Sequence, residues 1–322
     1  MSFILINKPI GPTSHDLVFH ARRVFKEKKI GHSGTLDPAA CGLLILGKNH
    51  GTKFLQYLKD EKTYEFTIRF GIKTDSVDLE GNIVEENDSR PTINAIKMIL
   101  REFIGNISQI PTKFSAIKIN GKRAYDLVRQ NIDFEMPERE VTIYELEILN
   151  YQDNEAHECE TVTLRTTCSA GTYIRTLAQD IAQRVGCISV VIFLKRVAIG
   201  SVKLNDVQEG EFVEESLDIL KTMYVNLELD KEHIARLQMG QRIRVYDEQI
   251  IRFEKNDDRI SNQIIRIKLE NKLENDFVKS PENEAQIDLD DGVYAGIDSA
   301  GKFCGMVKIE RAVIFPLCMV KI

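Results

Sequence analysis

The sequence lacks the features of a protein that is stabilised by structural metal ions or disulfides, and those of a protein that spans a membrane. Its six cysteines are scattered along 322 residues and never have the Cys-x-x-Cys spacing, which argues against a zinc site and a disulfide framework. No apolar run approaches the roughly 20 residues that cross a bilayer. No basic region precedes the apolar N-terminal stretch, so we expect no signal peptide. We therefore expect a cytoplasmic protein in a reducing environment, without membrane contact.

Signatures of bound metals and cofactors are missing as well. The sequence contains no Walker motif and no dinucleotide-binding fingerprint, which are the usual marks of nucleotide cofactors. The acidic loop 74–81 lacks the ligand spacing of an EF-hand. His15 and His20 are five residues apart on a predicted helix and so point to different faces. The residues therefore carry no recognised signature of a bound metal or nucleotide cofactor.

An excess of positive charge is also absent, since the formal net charge is −6. That total does not favour an anionic partner such as a nucleic acid. The distribution is uneven, however: residues 1–60 hold nine basic and four acidic side chains, residues 1–204 carry +2, and residues 205–322 carry −8. Because a binding footprint is a patch rather than a total, the N-terminal part remains suited to phosphates. The length suggests about two domains.

The stretch 30–47 is where chemistry is most strongly indicated. It holds four glycines and a single carboxylate, Asp37. Pro38 fixes its own φ and restricts Asp37 to extended conformations, so the carboxylate sits on a stiff support. The apolar run Leu43 to Leu46 that follows predicts a buried strand. An ordinary Asp-Pro turn gives the same pattern. The residues alone therefore leave two interpretations open: Asp37 is catalytic, or it belongs to a structural turn.

A helix is predicted over about residues 14–26, with its apolar side chains on one face. The opposite face and the residues just beyond it are basic: His20, Arg22, Arg23, Lys26, Lys28 and Lys29. Cations are favourable near a helix C-terminus, so a solvated face explains them. Contacts with phosphates explain them equally well.

Further along, two segments combine charge with aromatic residues. The strand predicted over 63–70 alternates, which by pattern makes Tyr64 a core residue. Residues 105–131 hold five cations and one acid, and Asn120-Gly121 predicts a hairpin turn. The cations of this segment are Lys113, Lys118, Lys122, Arg123 and Arg129. Either a nucleic-acid-binding hairpin or an ordinary surface hairpin fits.

The remaining elements are two strands, a helix and a central strand, predicted over 140–149, 161–168, 172–185 and 188–199. Arg175 lies in the first turn of that helix, where the helix dipole disfavours a cation, so it requires an anionic partner. Past residue 205 the chain becomes acidic. There we expect a helix over 212–223, small-barrel strands over 236–253 and 292–320, and a polar insertion over about 254–291.

One family carries these motifs in the same order. Gly31-His32-Ser33-Gly34-Thr35-Leu36-Asp37-Pro38 with Gly42-Leu43-Leu44 resembles the active-site motif of the TruB family of tRNA pseudouridine synthases. Segments that resemble other motifs of that family lie at 7–14, 62–65, 71–81, 110–122, 168–175 and 194–196. Cys41 departs from the family's usual threonine, and we expect this small side chain to be tolerated.

The resemblance implies an α+β architecture, the pseudouridine synthase fold, with a central mixed or antiparallel sheet flanked by helices and loops. A small C-terminal β-rich domain resembles the PUA domain. The implied domains are a catalytic domain over 1–230, with an RNA-binding thumb at about 105–136, and a PUA-like domain over 231–322 that contains the insertion 254–291.

The resemblance also implies roles for individual residues. Asp37 is the catalytic residue, Arg175 keeps it ionised, and Tyr64 stacks on the target base. A second set of residues binds substrate or supports the loop, and a third contacts the RNA backbone. The second set is Lys8, Pro9, His32, Tyr173 and Leu194, and the third is Lys113, Lys118, Lys122 and Arg123.

The activity implied is conversion of one uridine to pseudouridine without metal or cofactor, at uridine 55 in the T loop of tRNA. The implied partner is the T arm of tRNA, and we expect a cytoplasmic monomer with no obligate protein partner. Two alternatives stay open: a guide-RNA-dependent, dyskerin-like synthase, and a non-catalytic RNA-folding or RNA-binding protein. An intact Asp37, Tyr64 and Arg175 set favours an enzyme over the last of these.

Overall fold

The structure is a computed structural model that describes residues 1–58, 61–244, 250–253, 264–267, 292–311 and 313–320. Within these ranges no helix combines the length and the apolar character needed to cross a membrane. The α-helices are α1 (Ser14–Val24), α2 (Ile93–Ile99), α3 (Ala124–Arg129), α4 (Ile174–Arg184) and α5 (Lys231–Gln238).

A ten-stranded sheet forms the centre of the first part of the chain. Its strands run in the order β14-β1-β3-β12-β4-β11-β10-β7, with β2 beside β3 and β13 beside β12. The pairing of β3 with β12 is parallel and the others are antiparallel, so the predicted mixed sheet is confirmed. These strands are β1 (Ser2–Lys8), β2 (Ile30–His32), β3 (Cys41–Lys48), β4 (Lys62–Phe70), β7 (Gly105–Gln109), β10 (Arg139–Asp153), β11 (Cys159–Cys168), β12 (Ser189–Ile199), β13 (Val202–Lys203) and β14 (Phe212–Glu215).

Two short hairpins accompany this sheet. The first pairs β5 (Ile72–Thr74) with β6 (Ile83–Glu86). The second pairs β8 (Lys118–Ile119) with β9 (Lys122–Arg123). Asn120 and Gly121 connect β8 to β9 with φ values of 50° and 85°, as a tight two-residue turn requires. The hairpin predicted from Asn-Gly is therefore confirmed.

Helices cover the two ends of the large sheet because its alternating strands bury apolar side chains there. Phe66, Ile68 and Phe70 of β4 pack in one core with Leu177 and Ile181 of α4. At the other end, helix α1 packs against β1 and β3 in a separate core. Thr13 and Asp16 form a capping box at the start of α1, which fixes where the helix begins.

Glycine is required where β3 and β12 meet. Gly42 has a φ of +103°, and a Cβ at this position would lie 2.3 Å from the carbonyl oxygen of Arg196. No side chain fits at that distance, so the close parallel contact of the two strands depends on the missing side chain.

A second, seven-stranded sheet contains the C-terminal strands. Its order is β16-β21-β20-β19-β15-β18-β17, and β15 runs parallel to both of its neighbours. The sheet packs against the first part of the chain, where the rings of Phe54 and Phe303 lie 5.7 Å apart. Its strands are β15 (Asn226–Glu228), β16 (Ile243–Arg244), β17 (Ile250–Phe253), β18 (Ile264–Ile267), β19 (Gly292–Ile297), β20 (Phe303–Glu310) and β21 (Val313–Met319).

The predictions for the acidic C-terminal region were partly wrong. Residues 212–223 are not a helix: β14 pairs with β1 as an edge strand, and a 3₁₀ helix, Leu217–Thr222, follows. Pairing with an unsatisfied strand edge outweighs the local helical pattern here. Helix α5 occupies the start of the region predicted as barrel strands. The predicted insertion over 254–291 lies outside the described residues, apart from β18.

A substitution tests whether Gly42 is required. Gly42→Ala should lower the free energy of unfolding by at least roughly 3 kcal/mol, because a strained backbone and a steric overlap with β12 add together. Gly240→Ala is the matched control, since Gly240 also has a positive φ of +81° but open space around it; its cost should be about 1 kcal/mol. Urea unfolding followed by circular dichroism measures both. Equal losses in the two variants would contradict the steric requirement.

Candidate active site

The loop that carries Asp37 is held from below by a buried lysine. Lys8 is fully buried at the end of β1. Its Nζ donates to the carbonyl oxygens of Pro9, Pro38 and Ala40 at 2.9, 3.3 and 2.6 Å. Burial lowers the pKa of Lys8, and the nearby Asp37 and Cys41 partly oppose that change. The side chain therefore acts as a brace between the N-terminal segment and both sides of the loop.

The start of helix α1 holds the other side of the same loop. The Ser14 hydroxyl accepts from the backbone N–H of Leu36 at 2.8 Å and lies 3.2 Å from the Leu36 carbonyl oxygen. The Gly11 N–H donates to the carbonyl oxygen of Pro38 at 2.9 Å. These contacts flank Asp37 on both sides, so its backbone is fixed before any ligand binds.

The Asp37 carboxylate is paired with Arg175, as the family resemblance implied. Arg175 Nη2 lies 2.8 Å from Asp37 Oδ2, and Nη1 lies 3.1 Å from Asp78 Oδ2. The guanidinium also donates to the carbonyl oxygens of Ser76 at 2.7 Å and Phe114 at 3.0 Å. The Arg175 side chain is 7% exposed and that of Asp37 is 37% exposed. A buried, fully bonded arginine thus orients a carboxylate that solvent can reach.

Asp78 is a member of this cluster that the sequence analysis did not single out. The Ser76 hydroxyl and the backbone N–H of Glu80 donate to Asp78 Oδ1. Burial first, and then Asp78 and Asp37, raise the pKa of the neighbouring Glu80. The available signal was the acidic loop 74–81, whose pattern matched the family but gave no hint of which acid faces Arg175.

A second buried arginine, Arg196, ties the loop to the central strands. Its Nε donates to the Leu43 carbonyl oxygen at 2.8 Å and its Nη2 to that of Gly34 at 3.3 Å. Tyr64 lies next to it in the core and is 8% exposed. Burial raises the pKa of Tyr64, and Arg196 partly opposes the rise. The packing position that the strand pattern predicted for Tyr64 is therefore confirmed.

A cleft of about 960 Å³ opens above Asp37. Its floor includes Asp37, His32 and Arg175, and its far wall is formed by the segment that precedes and includes α3. Three cations of that segment, Lys118, Arg123 and Arg129, line the cleft. Tyr64, Tyr173, Leu194, Lys8 and Pro9 are not among the lining residues. The structure thus brings the carboxylate and a basic wall together, whereas these five predicted residues lie outside the cleft lining.

His32 and Tyr173 are both positioned by backbone contacts. The Gly34 N–H donates to His32 Nδ1 at 3.3 Å, and burial lowers the pKa of His32, which favours a neutral ring at pH 7. Tyr173 precedes α4, and its N–H and carbonyl oxygen bond the Gln109 side chain at 3.0 and 3.3 Å. Burial raises the pKa of Tyr173. Leu194 packs at the edge of the core below.

The predicted backbone-binding cations of the hairpin segment differ in their surroundings. Lys118 and Arg123 line the cleft, and Lys122 is exposed beside them on β9. Lys113 is paired with Asp133 at 2.7 Å and does not line the cleft. The guanidinium of Arg123 lies 5.7 Å and that of Arg129 5.6 Å from the centre of the Tyr125 ring.

The site therefore holds the accessible Asp37 carboxylate rigidly, opposite a wall that carries three cations. Among the described residues no group of three or more His, Cys, Asp or Glu side chains is arranged to hold a metal ion. A carboxylate in such a place can attack an electrophilic carbon or stabilise a developing positive charge. The cations suit a substrate that carries phosphates.

Comparison with known proteins agrees with this chemistry. The model of the TruB family pseudouridylate synthase N-terminal domain matches residues 22–174. The tRNA pseudouridine synthase B of Synechocystis sp. is 40% identical over 261 residues, which cover 76% of this chain and 86% of the relative. That of Bacillus cereus is 41% identical over 219 residues, covering 66% of this chain and 71% of the relative.

Solved structures show the same fold. A Cbf5-Nop10-Gar1 complex matches with a TM-score of 0.65 and 17% identity, over 99% of this chain and 84% of that chain. An H/ACA RNP bound to a substrate RNA containing 2′-deoxyuridine matches with a TM-score of 0.64 and 16% identity, over the same shares. The predicted pseudouridine synthase fold, α+β with a mixed sheet and a β-rich C-terminal part, is confirmed. Given the identity and coverage of the curated relatives, the chain belongs to the TruB family of pseudouridine synthases.

Proposed function

We propose that this chain converts a uridine of tRNA to pseudouridine and that Asp37 is its catalytic residue. The observation that carries the proposal is the pair between Asp37 and the buried Arg175 at the floor of a cation-lined cleft. The names of its relatives, tRNA pseudouridine synthase B, support tRNA as the substrate.

The reaction is an isomerisation, so its atoms balance without a co-reactant. The bond from ribose C1′ to uracil N1 breaks, the base turns, and C1′ bonds to C5. The C5 proton is released to water, and N1 takes up a proton in return. Asp37 attacks the nucleoside or stabilises the positive charge that develops on the ribose. Attack on the base, attack on the sugar, and a glycal route with loss of the C2′ proton all use the same carboxylate.

Arg175 is proposed to keep Asp37 ionised and aimed into the cleft. Its guanidinium is held by Asp78 and two backbone carbonyl oxygens, so it does not need to reorganise during the reaction. Tyr64 is proposed to stack on the target base, which requires that base to pass below the present cleft surface. Tyr173 and Leu194 complete that pocket, and Lys8 and Pro9 support the loop.

The chemistry requires an extruded nucleotide, because a stacked base cannot turn. Extrusion costs a few kcal/mol, which binding must supply. Lys118, Lys122 and Arg123 are proposed to provide part of this through phosphate contacts, with Lys113 weaker because Asp133 already pairs with it. His32 is proposed to help displace the target base and take its place in the stack.

The finer assignments are also proposals. We infer uridine 55 in the T arm as the target, and a monomer that works without an obligate protein partner in the cytoplasm. The proposed catalytic domain spans 1–230 with its thumb at about 105–136, and a PUA-like domain spans 231–322. Strand β15 already belongs to the second sheet, which supports a boundary a few residues before 231.

The central test is release of tritium from uracil C5 in an unmodified tRNA transcript. Wild type should release one equivalent per tRNA, and Asp37→Asn should release none while binding the transcript within a few-fold of wild type. Asp75→Asn, which removes an acid from the same cleft without touching Arg175, serves as control and should keep activity within a few-fold. Full activity of Asp37→Asn would refute the mechanism.

No release by wild type from any tRNA, with binding intact, would favour one of the two alternatives. A guide-dependent synthase would then act on an RNA presented by a guide, and a non-catalytic protein would act on none.

The same transcript with cytidine at position 55 should bind but release no tritium. Release from that transcript would place the target elsewhere.

The role of Arg175 is tested by a change that keeps its charge. Arg175→Lys should lower kcat about 100-fold, because a point charge cannot bond two carboxylates and two carbonyls at once and the carboxylate loses its aim. The control is Arg184→Lys on the same helix, whose partner Glu102 is exposed; its kcat should stay within twofold. A near-normal rate for Arg175→Lys would show that only the charge matters.

A further inference from the structure

The two exposed flanks of helix α1 differ in chemistry. One flank carries His15, Phe19 and Arg22 at helical spacing of three or four residues, and Lys26 follows just beyond the end of the helix. The other flank carries Asp16, His20 and Arg23. We call the set His15, Phe19, Arg22 and Lys26 the α1 strip.

Contacts along the α1 strip hold its side chains in a row. The rings of His15 and Phe19 meet edge to face at 4.7 Å. The guanidinium of Arg22 lies 5.4 Å from the centre of the Phe19 ring, and Arg22 Nη2 donates to the Ile30 carbonyl oxygen at 3.0 Å. Phe19 nevertheless remains 50% exposed. An ordered, exposed aromatic ring beside a cation is a surface suited to an RNA strand.

The α1 strip begins at the candidate active site. His15 lines the same cleft as Asp37. A shallow cavity of about 580 Å³ then follows the strip, lined by Phe19, Arg22, Arg23, Lys26, Glu27 and Lys28. Because the His15 and Phe19 rings are in contact, the cation-lined surface continues out of the cleft along α1.

The positive charges of this surface are available to bind an anion. In the described ranges of the chain, none of Arg22, Arg23, Lys26 and Lys28 forms an ion pair with a carboxylate, whereas Lys48 is paired with Glu214. The only acid on the surface is Glu27. Unpaired cations on a fixed support bind phosphates by releasing counterions, with little cost in ordering.

We propose that the α1 strip, with Arg23, binds the sugar–phosphate backbone of the substrate RNA beside the nucleotide that reacts. The inference rests on the proposed function, because it takes the occupant of the cleft to be RNA. From His15 to Arg22 the helix rises roughly 10 Å, which spans about three nucleotide steps along a duplex strand. Two or three phosphates therefore contact the strip while Phe19 packs on a sugar or base.

The test measures binding of an unmodified tRNA transcript over a range of salt concentrations. In the double variant Arg23→Gln/Lys26→Gln, affinity should fall about tenfold and the slope of log K against log salt should decrease by roughly 1 to 2. The control, Lys97→Gln/Arg101→Gln, removes the same two charges from an exposed face at the far end of the sheet. It should match wild type in both quantities.

A single variant tests the proposal by a change that should raise the affinity for RNA instead of lowering it. Glu27→Gln removes the one acid from this surface and should tighten binding two- to threefold at low salt. Because a misfolded protein does not bind more tightly, this result cannot come from damage to the fold.

Tritium release by wild type, measured in parallel, separates this proposal from the proposed function. Suppose that wild type isomerises the tRNA but Arg23→Gln/Lys26→Gln has the same affinity and the same salt slope as its control variant. The α1 strip then does not contact the RNA. If wild type does not isomerise, the proposed function fails first. If Arg23→Gln/Lys26→Gln weakens binding of an acidic protein or anionic vesicles but not of tRNA, the occupant is one of those.

Discussion

The site depends on one buried charge. Arg175 lies at the start of helix α4, where the helix dipole opposes a cation, and it is removed from water. It is stable there only because Asp37, Asp78 and two carbonyl oxygens surround it. Burying an ion without such partners costs several kcal/mol. The bonds that offset the cost of burying Arg175 also orient Asp37. The stability of the fold and the geometry of the site therefore depend on the same contacts.

Around that charge, the chain fixes each support from a different element. Lys8 comes from the first strand, Ser14 from the first helix, Ser76 from a hairpin connection and Phe114 from the thumb segment. Each of these contacts joins a side chain of one segment to a backbone group of another. Backbone groups are present whatever the side chain, so each of these contacts constrains the identity of only one of its two residues.

The sequence predicted the parts of this arrangement that are local. The alternation in β4, the helix α1 and the Asn-Gly hairpin each follow from a few neighbouring residues, and each is confirmed. The dipole argument required an anion near Arg175 but gave no means of choosing Asp78 among three acids in its loop. The error at 212–223 has the same origin. Phe212–Glu215 becomes a strand because β1 offers a free edge. That edge belongs to residues 2–8, which lie far away in the sequence, so the pattern of residues 212–223 does not reveal it.

The position of β12 has a consequence for how the protein forms. This strand lies in the middle of the sheet between β3 and β4, yet it is the last of the three to be synthesised. Arg196, which bonds the Leu43 carbonyl, is 153 residues later in the chain. Contacts of such separation form slowly, because a large loop must close first. A growing chain that already displays the whole Asp37 loop therefore cannot hold it in its final shape. The loop gains the bonds from Arg196 only when the central gap in the sheet is filled.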